Sequence, residues 1–179
     1  PYRHSNISQL FVEHLDTLKK RMREVNLRVI PHFHTVNEAR QTDARNMLQI
    51  LNAIPGLKLI EAQHALGPGL HCQTLHPMPV DDQARMFDEA RDLGADAIVV
   101  PYNSCYRQHC KMQLTHAVEV HHYFNLLAMA LDIPFTEPFK QMRMLGDVDS
   151  VMQALRPKIQ KLGYDEDIVR TQVTRAIFC

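Results

Sequence analysis

The sequence has no tryptophan, no surplus of either charge and no long apolar run. Its 20 Lys and Arg balance 20 Asp and Glu at pH 7. That balance argues against a nucleic-acid binder, which needs surplus cations to displace counterions from phosphate. No apolar stretch approaches the ~18 residues of a membrane span; the longest, 123–131, is interrupted by Asn125. No signal-peptide pattern opens the sequence, which begins at Pro1, so processing or upstream sequence stays open. Cysteine is also scarce. The four, at 72, 105, 110 and 179, are too sparse for a secreted disulfide framework and point to a reducing compartment, the cytoplasm.

What is abundant is histidine, with 11 residues, and methionine, with 9. At 45% apolar and 22% charged residues the composition is that of a globular domain. A chain of this length buries roughly 70% of its unfolded surface and needs no staple to be stable. Ile7, Leu10, Phe11, Leu15, Leu18 and Met22 recur at helical spacing over 5–24, with Ser5 or Asn6 as cap. Strand-like segments follow at 27–31, 57–61 and 95–101. Between and after them lie helices at 38–53, at 81–93 capped by Asp81 or Asp82, after Asn103 or Ser104, and at 122–131. Such alternation predicts an α/β fold, a mostly parallel sheet with flanking helices. Residues 135–179 read as a C-terminal helical extension, with helices near 148–162 and 165–176 and Pro157 interrupting the first. The predicted organisation is an N-terminal helix (1–26), an α/β domain (27–134) and a helical tail (135–179). Segments 4–10 and 121–127, each a His ahead of a leucine-rich helix, form a faint internal repeat.

Each strand runs into a loop with chemistry in it. The first is His32-Phe-His34-Thr35, the second reaches His71-Cys72, and the third is Pro101-Tyr102-Asn-Ser-Cys105. Parallel strands bring such loops to one edge, where open α/β sheets bind ligands. Thiolate and imidazole are the ligands that suit zinc or iron. Cys105, near a helix start, is also a candidate nucleophile beside a histidine. Cys110 and Cys179 read instead as small buried hydrophobes or bystanders. His64, His76, His116 and His122 read as surface or packing residues, and the methionines as core filler.

The stretch Gly94-Ala-Asp-Ala-Ile-Val-Val-Pro-Tyr-Asn-Ser-Cys-Tyr-Arg-Gln108, followed by 121–131, resembles the end of a CCG cysteine-rich domain. Such domains occur in the cluster-bearing, disulfide-reducing component of heterodisulfide reductase and in related redox proteins. The resemblance covers roughly 27–134, and residues 2–16 resemble the tail of a preceding copy. The family pattern is one Cys after the first strand, Cys-Cys-Gly after the second and Cys-x-x-Cys after the third. Carried over, these positions fall on Thr35 or His34, on His71 and Cys72 with Gln73 where glycine is expected, and on Tyr102 and Cys105. Two thiolates cannot hold the family's fused, non-cubane iron–sulfur cluster.

The resemblance therefore implies a degenerate heterodisulfide reductase-like protein with a CCG-like domain. Its expected role is that of an accessory or scaffold component of an iron–sulfur redox complex in thiol, disulfide or sulfur metabolism. The alternatives are a stand-alone metalloprotein or redox enzyme using a Cys/His pocket, and a pure interaction module. Any enzymatic role is that of one member of an oxidoreductase complex. The expected site is His71, Cys72, Tyr102 and Cys105 for a cofactor, or His34, His71, Cys72 and Cys105 for zinc or iron. A domain without any cofactor is the other outcome. Expected partners are other subunits of a redox complex or further copies of the chain, because the apolar stripes of the tail and first helix exceed what one small sheet covers.

Overall fold

The computed structural model describes residues 6–62 and 78–178. The chain divides into two compact units, Pro1–Phe135 and Thr136–Cys179, each described by itself.

The first unit is built on four short strands: β1 (Arg28–Pro31), β2 (Lys58–Leu59), β3 (Ala97–Val100) and β4 (Glu119–His122). They form one all-parallel sheet in the order β2-β1-β3-β4. β3 lies between β1 and β4, and its four side chains are fully buried. A parallel sheet covered on both faces requires such a continuous apolar run. Val29 pairs with Ala97 and Ile98 with Val120, so the register places the carboxyl ends of β1, β3 and β4 side by side.

α3 (Glu38–Ala53) follows β1. Asn37 caps it by accepting from the Arg40 N–H, and Ala44, Met47, Ile50 and Leu51 turn its buried face to the core. Burying each of the larger of these side chains stabilises the fold by about 1.5–3 kcal/mol. The chain reverses at Gly56, whose φ of +78° favours glycine. α4 (Val80–Asp92) ends at Gly94 with φ +67°, and β3 follows at once. α5 (Asn103–His109) and a 3-10 turn (Cys110–Leu114) connect β3 to β4, and α6 (Tyr123–Ala130) follows β4.

Several local expectations change. The 5–24 helix is broken at His14 into α1 (Ile7–Glu13) and α2 (Leu15–Lys19), because His14 leaves helical geometry at φ −104°, ψ 8°. The helix expected from 122 begins one residue later, since Glu119–His122 forms a fourth strand that the sequence hid behind three polar residues. Capping differs too: Asn6 precedes α1 but its side chain donates to Asp43, and Asp81 and Asp82 lie inside the first turn of α4. Neither Asn103 nor Ser104 caps α5; the position belongs to Tyr102, whose side chain is used elsewhere.

The second unit holds α7 (Pro138–Arg143), α8 (Val148–Leu162), α9 (Glu166–Val173) and a π-helical turn (Thr174–Phe178). Val151, Met152, Ile159, Val173 and Ile177 form its core. α8 runs unbroken through Pro157, against the interruption expected there. Proline costs the helix one backbone hydrogen bond, and this helix continues past that loss with its apolar face buried on both sides of it.

Candidate metal centre

The strand order fixes where a site can form. The chain leaves β1 towards β2 on one side and returns to β3 on the other, so the β1/β3 boundary is the topological switch point. Open α/β sheets bind ligands in the crevice outside the carboxyl ends of the strands at that point. β1 ends in His32-Phe33-His34 and β3 ends in Pro101-Tyr102, followed by α5 with Cys105. The backbone N–H of His32 donates to the Val99 carbonyl at 2.8 Å, which carries the β1–β3 pairing past Pro31. Phe33, between the two histidines, packs into the core with Val29 and Met47. His32 and His34 lie on the other side of the chain, where their rings meet at 5.5 Å and 83°.

Cys105 completes the group. Its Sγ lies 2.8 Å from His34 Nε2, and one ligand atom from each of His32, His34 and Cys105 lies within 4.8 Å of the other two. His32 is fully buried and Cys105 is 4% exposed. A tetrahedral zinc, with Zn–S about 2.3 Å and Zn–N about 2.0–2.1 Å, spaces its ligand atoms about 3.3–3.6 Å apart. His34 Nε2 and Cys105 Sγ lie closer than that, and all three atoms fall within 4.8 Å of one another, a group that could hold one ion. The donor set, one soft thiol and two imidazoles, is chemically right for zinc.

Around this group lies a polar support. The Tyr102 ring packs edge-on against His34 at 5.4 Å, and its hydroxyl donates to Asp43 Oδ2 at 2.9 Å. Asp43 Oδ1 accepts from Asn6 Nδ2 and Ser8 Oγ, both at 2.9 Å, so the start of α1 is tied to the site through one carboxylate. The Arg40 guanidinium sits 4.0 Å over the Tyr102 ring. Burial, against the lowering effect of Arg40 and with the help of the Asp43 carboxylate, pushes the Tyr102 hydroxyl up to about 12, so it stays a neutral donor. On the opposite side His109, 1% exposed, packs its ring edge-on against His32 at 5.3 Å and 80°. Burial first, then electrostatic interaction with His34 and Lys111, pushes its pKa down to about 3, and the imidazole is neutral.

Of the residues singled out from the sequence, the structure brings His34, Tyr102 and Cys105 together. His71 and Cys72 lie outside the described residues, as do His64, His76 and Cys179. Cys110 is fully buried, and like Cys105 it carries a thiol. His116 packs on Phe87, and His122 accepts from the Phe124 N–H at the start of α6. His32, His109 and Asp43 are additions that sequence reasoning missed. The signal for the first two was present as His-x-His at a strand end and Cys-x-x-x-His on the following helix.

Compared with family models, curated proteins and solved structures, the chain matches none.

Proposed function

We propose that this chain is a metal-binding component of a larger assembly. In this reading it is a CCG-like domain in which a small Cys/His zinc site stands where the cluster-bearing relatives in heterodisulfide reductase hold iron and sulfide. Its role is accessory, within a redox complex. The observation that carries the metal is the convergence of His32, His34 and Cys105 within 4.8 Å at the switch point of the sheet. The complex rests on the resemblance around 94–108 and on apolar side chains left at the surface, among them Ile168, Tyr164 and Leu162.

The test is metal analysis of protein purified without chelator and without nickel affinity resin. One zinc per chain is expected. Cys105→Ser should lose it, and cobalt loading should give a thiolate-to-cobalt charge-transfer band only in the wild type. Zinc at about 1,000 times its dissociation constant would add about 4 kcal/mol of stability, raising the melting temperature by about 10 °C. A protein that takes up no zinc and melts identically with and without it sinks the reading, and a brown preparation would restore an iron–sulfur site.

The 2.8 Å contact between His34 and Cys105 favours a second reading, a thiol nucleophile whose proton passes to imidazole. Rapid alkylation of Cys105 in chelator-treated protein, abolished by His34→Gln, separates this reading from a purely structural metal site.

A further inference from the structure

Three donors among the described residues leave a tetrahedral ion one ligand short, and the residue that supplies the fourth decides whether the site is open or closed. His109 has two features that a packing histidine does not need. Its Nδ1 is buried and meets no hydrogen-bond partner among the described residues, a loss that ordinarily costs about 1–3 kcal/mol. It also lies four residues after Cys105 on α5, and residues at that spacing share one helix face. The two ligand pairs thus have matching logic. His32 and His34 share one side of the strand end with Phe33 turned away, and Cys105 and His109 share one side of the helix facing it.

His109 lies outside the group of three whose ligand atoms come within 4.8 Å of one another, so its side chain must move towards them to bind. Its ring already packs on His32 at a spacing that agrees with two ligands of one ion. Two imidazoles on one tetrahedral zinc, each centroid about 3.2 Å from the ion, have centroids about 5.2 Å apart. The His32–His34 and His32–His109 centroids are 5.5 Å and 5.3 Å apart, with the rings near perpendicular in both pairs. His122, at the same edge of the sheet, is engaged differently, since it caps α6.

We propose that His109 is the fourth ligand, closing a four-coordinate zinc site of Cys105, His32, His34 and His109. The proposal rests on the metal-binding reading above and adds to it a consequence. A closed set leaves no position for a catalytic water, so the ion pins α5 to the end of β1 as a structural staple.

The experiment is nitrogen-15 NMR of the histidine rings in wild-type protein, titrated with zinc ion, which requires no substitution to fold. Ring nitrogens of His32, His34 and His109 are expected to move together to metal-bound positions at one equivalent. If His32 and His34 move and His109 does not, the fourth ligand lies elsewhere and only this proposal falls. If none moves, the metal-binding reading falls with it. In parallel, His109→Gln should weaken zinc binding against a competing chelator by more than the ~100-fold typical of an outer-shell partner. A smaller loss overturns the ligand assignment.

Discussion

Acid should destabilise the metal-free protein through His109, by an amount that follows from its burial. The imidazole takes up a proton near pH 6.5 when exposed, but only near 3 in the folded chain. Between those values the unfolded state binds more protons than the folded one. Stability therefore rises with pH, is fully present above about 6.5 and is lost progressively as pH falls towards 3. From about pH 7.5 to about pH 5 the loss is about 2 kcal/mol, the linkage energy of one group left unprotonated across 1.5 units below its unfolded pKa. With a urea dependence of about 2 kcal/mol per molar, the midpoint should fall by about 1 M over that interval. The assay is urea unfolding followed by circular dichroism in chelator, at a series of pH values, for wild type and His109→Gln. Other histidines, His122 among them with its pKa also lowered by burial, contribute in the same direction. Those that do not touch His109 do so equally in both proteins, and the difference between the two reports His109 together with its neighbours His32 and His34. The variant should lose about 2 kcal/mol less than wild type on acidification. Parallel pH profiles would refute the argument, since the proton-binding difference would then reside elsewhere.

Three further outcomes can be checked by the same unfolding measurement. Tyr102→Phe removes the donor to Asp43 while leaving the ring against His34; it should cost about 1 kcal/mol and leave zinc stoichiometry unchanged. Gly94→Ala forces a side chain into φ +67° and sets its Cβ 2.9 Å from the Arg28 guanidinium, which donates to the Leu93 carbonyl. The expected cost is about 2 kcal/mol, falling to about 1 in an Arg28→Ala background where only the backbone strain remains. Ile98→Ala, at the centre of β3 with no exposure, should cost about 2–5 kcal/mol through lost burial and the cavity left behind.

The sheet was legible wherever strands were apolar throughout. Ala97–Val100 could be nothing but a buried central strand, and β1 and β2 fell within the segments 27–31 and 57–61. β4 was not legible, because Glu119, His121 and His122 look like a solvated turn. His121 is nevertheless buried, at 8% exposure, because its Nε2 meets Glu119 at 2.9 Å and its neighbour Val120 pairs with Ile98. The break at His14 was equally hidden. Phe11 and Leu15 keep a helical spacing across it, and both still pack in the same core. At the site, the loop-by-loop reading found Cys105, His34 and Tyr102, since each follows a strand end. It passed over His32 and His109 because a histidine carries no burial signal of its own, and only the His-x-His and Cys-x-x-x-His spacings could have paired them with His34 and Cys105. Only the register of β1 against β3 puts His32 fully inside, and only the length of α5 brings His109 across from it.

The energetic balance at His109 bears on why metal is the reading that fits best. An apolar residue of similar volume at the end of α5 would bury its side chain at a gain, whereas the imidazole buries Nδ1 without a partner among the described residues. It stands next to His32, a second fully buried imidazole. Polar groups withdrawn from water cost free energy unless something inside the protein replaces the water. For Tyr102 the replacement is evident in Asp43, and for His122 it is the Phe124 N–H. For His109 the nearest chemistry that would offset burial is a cation shared with His32, His34 and Cys105. Zinc binding would turn a local deficit into a gain coupled to folding, and it would do so where the sheet topology already gathers the ends of β1 and β3.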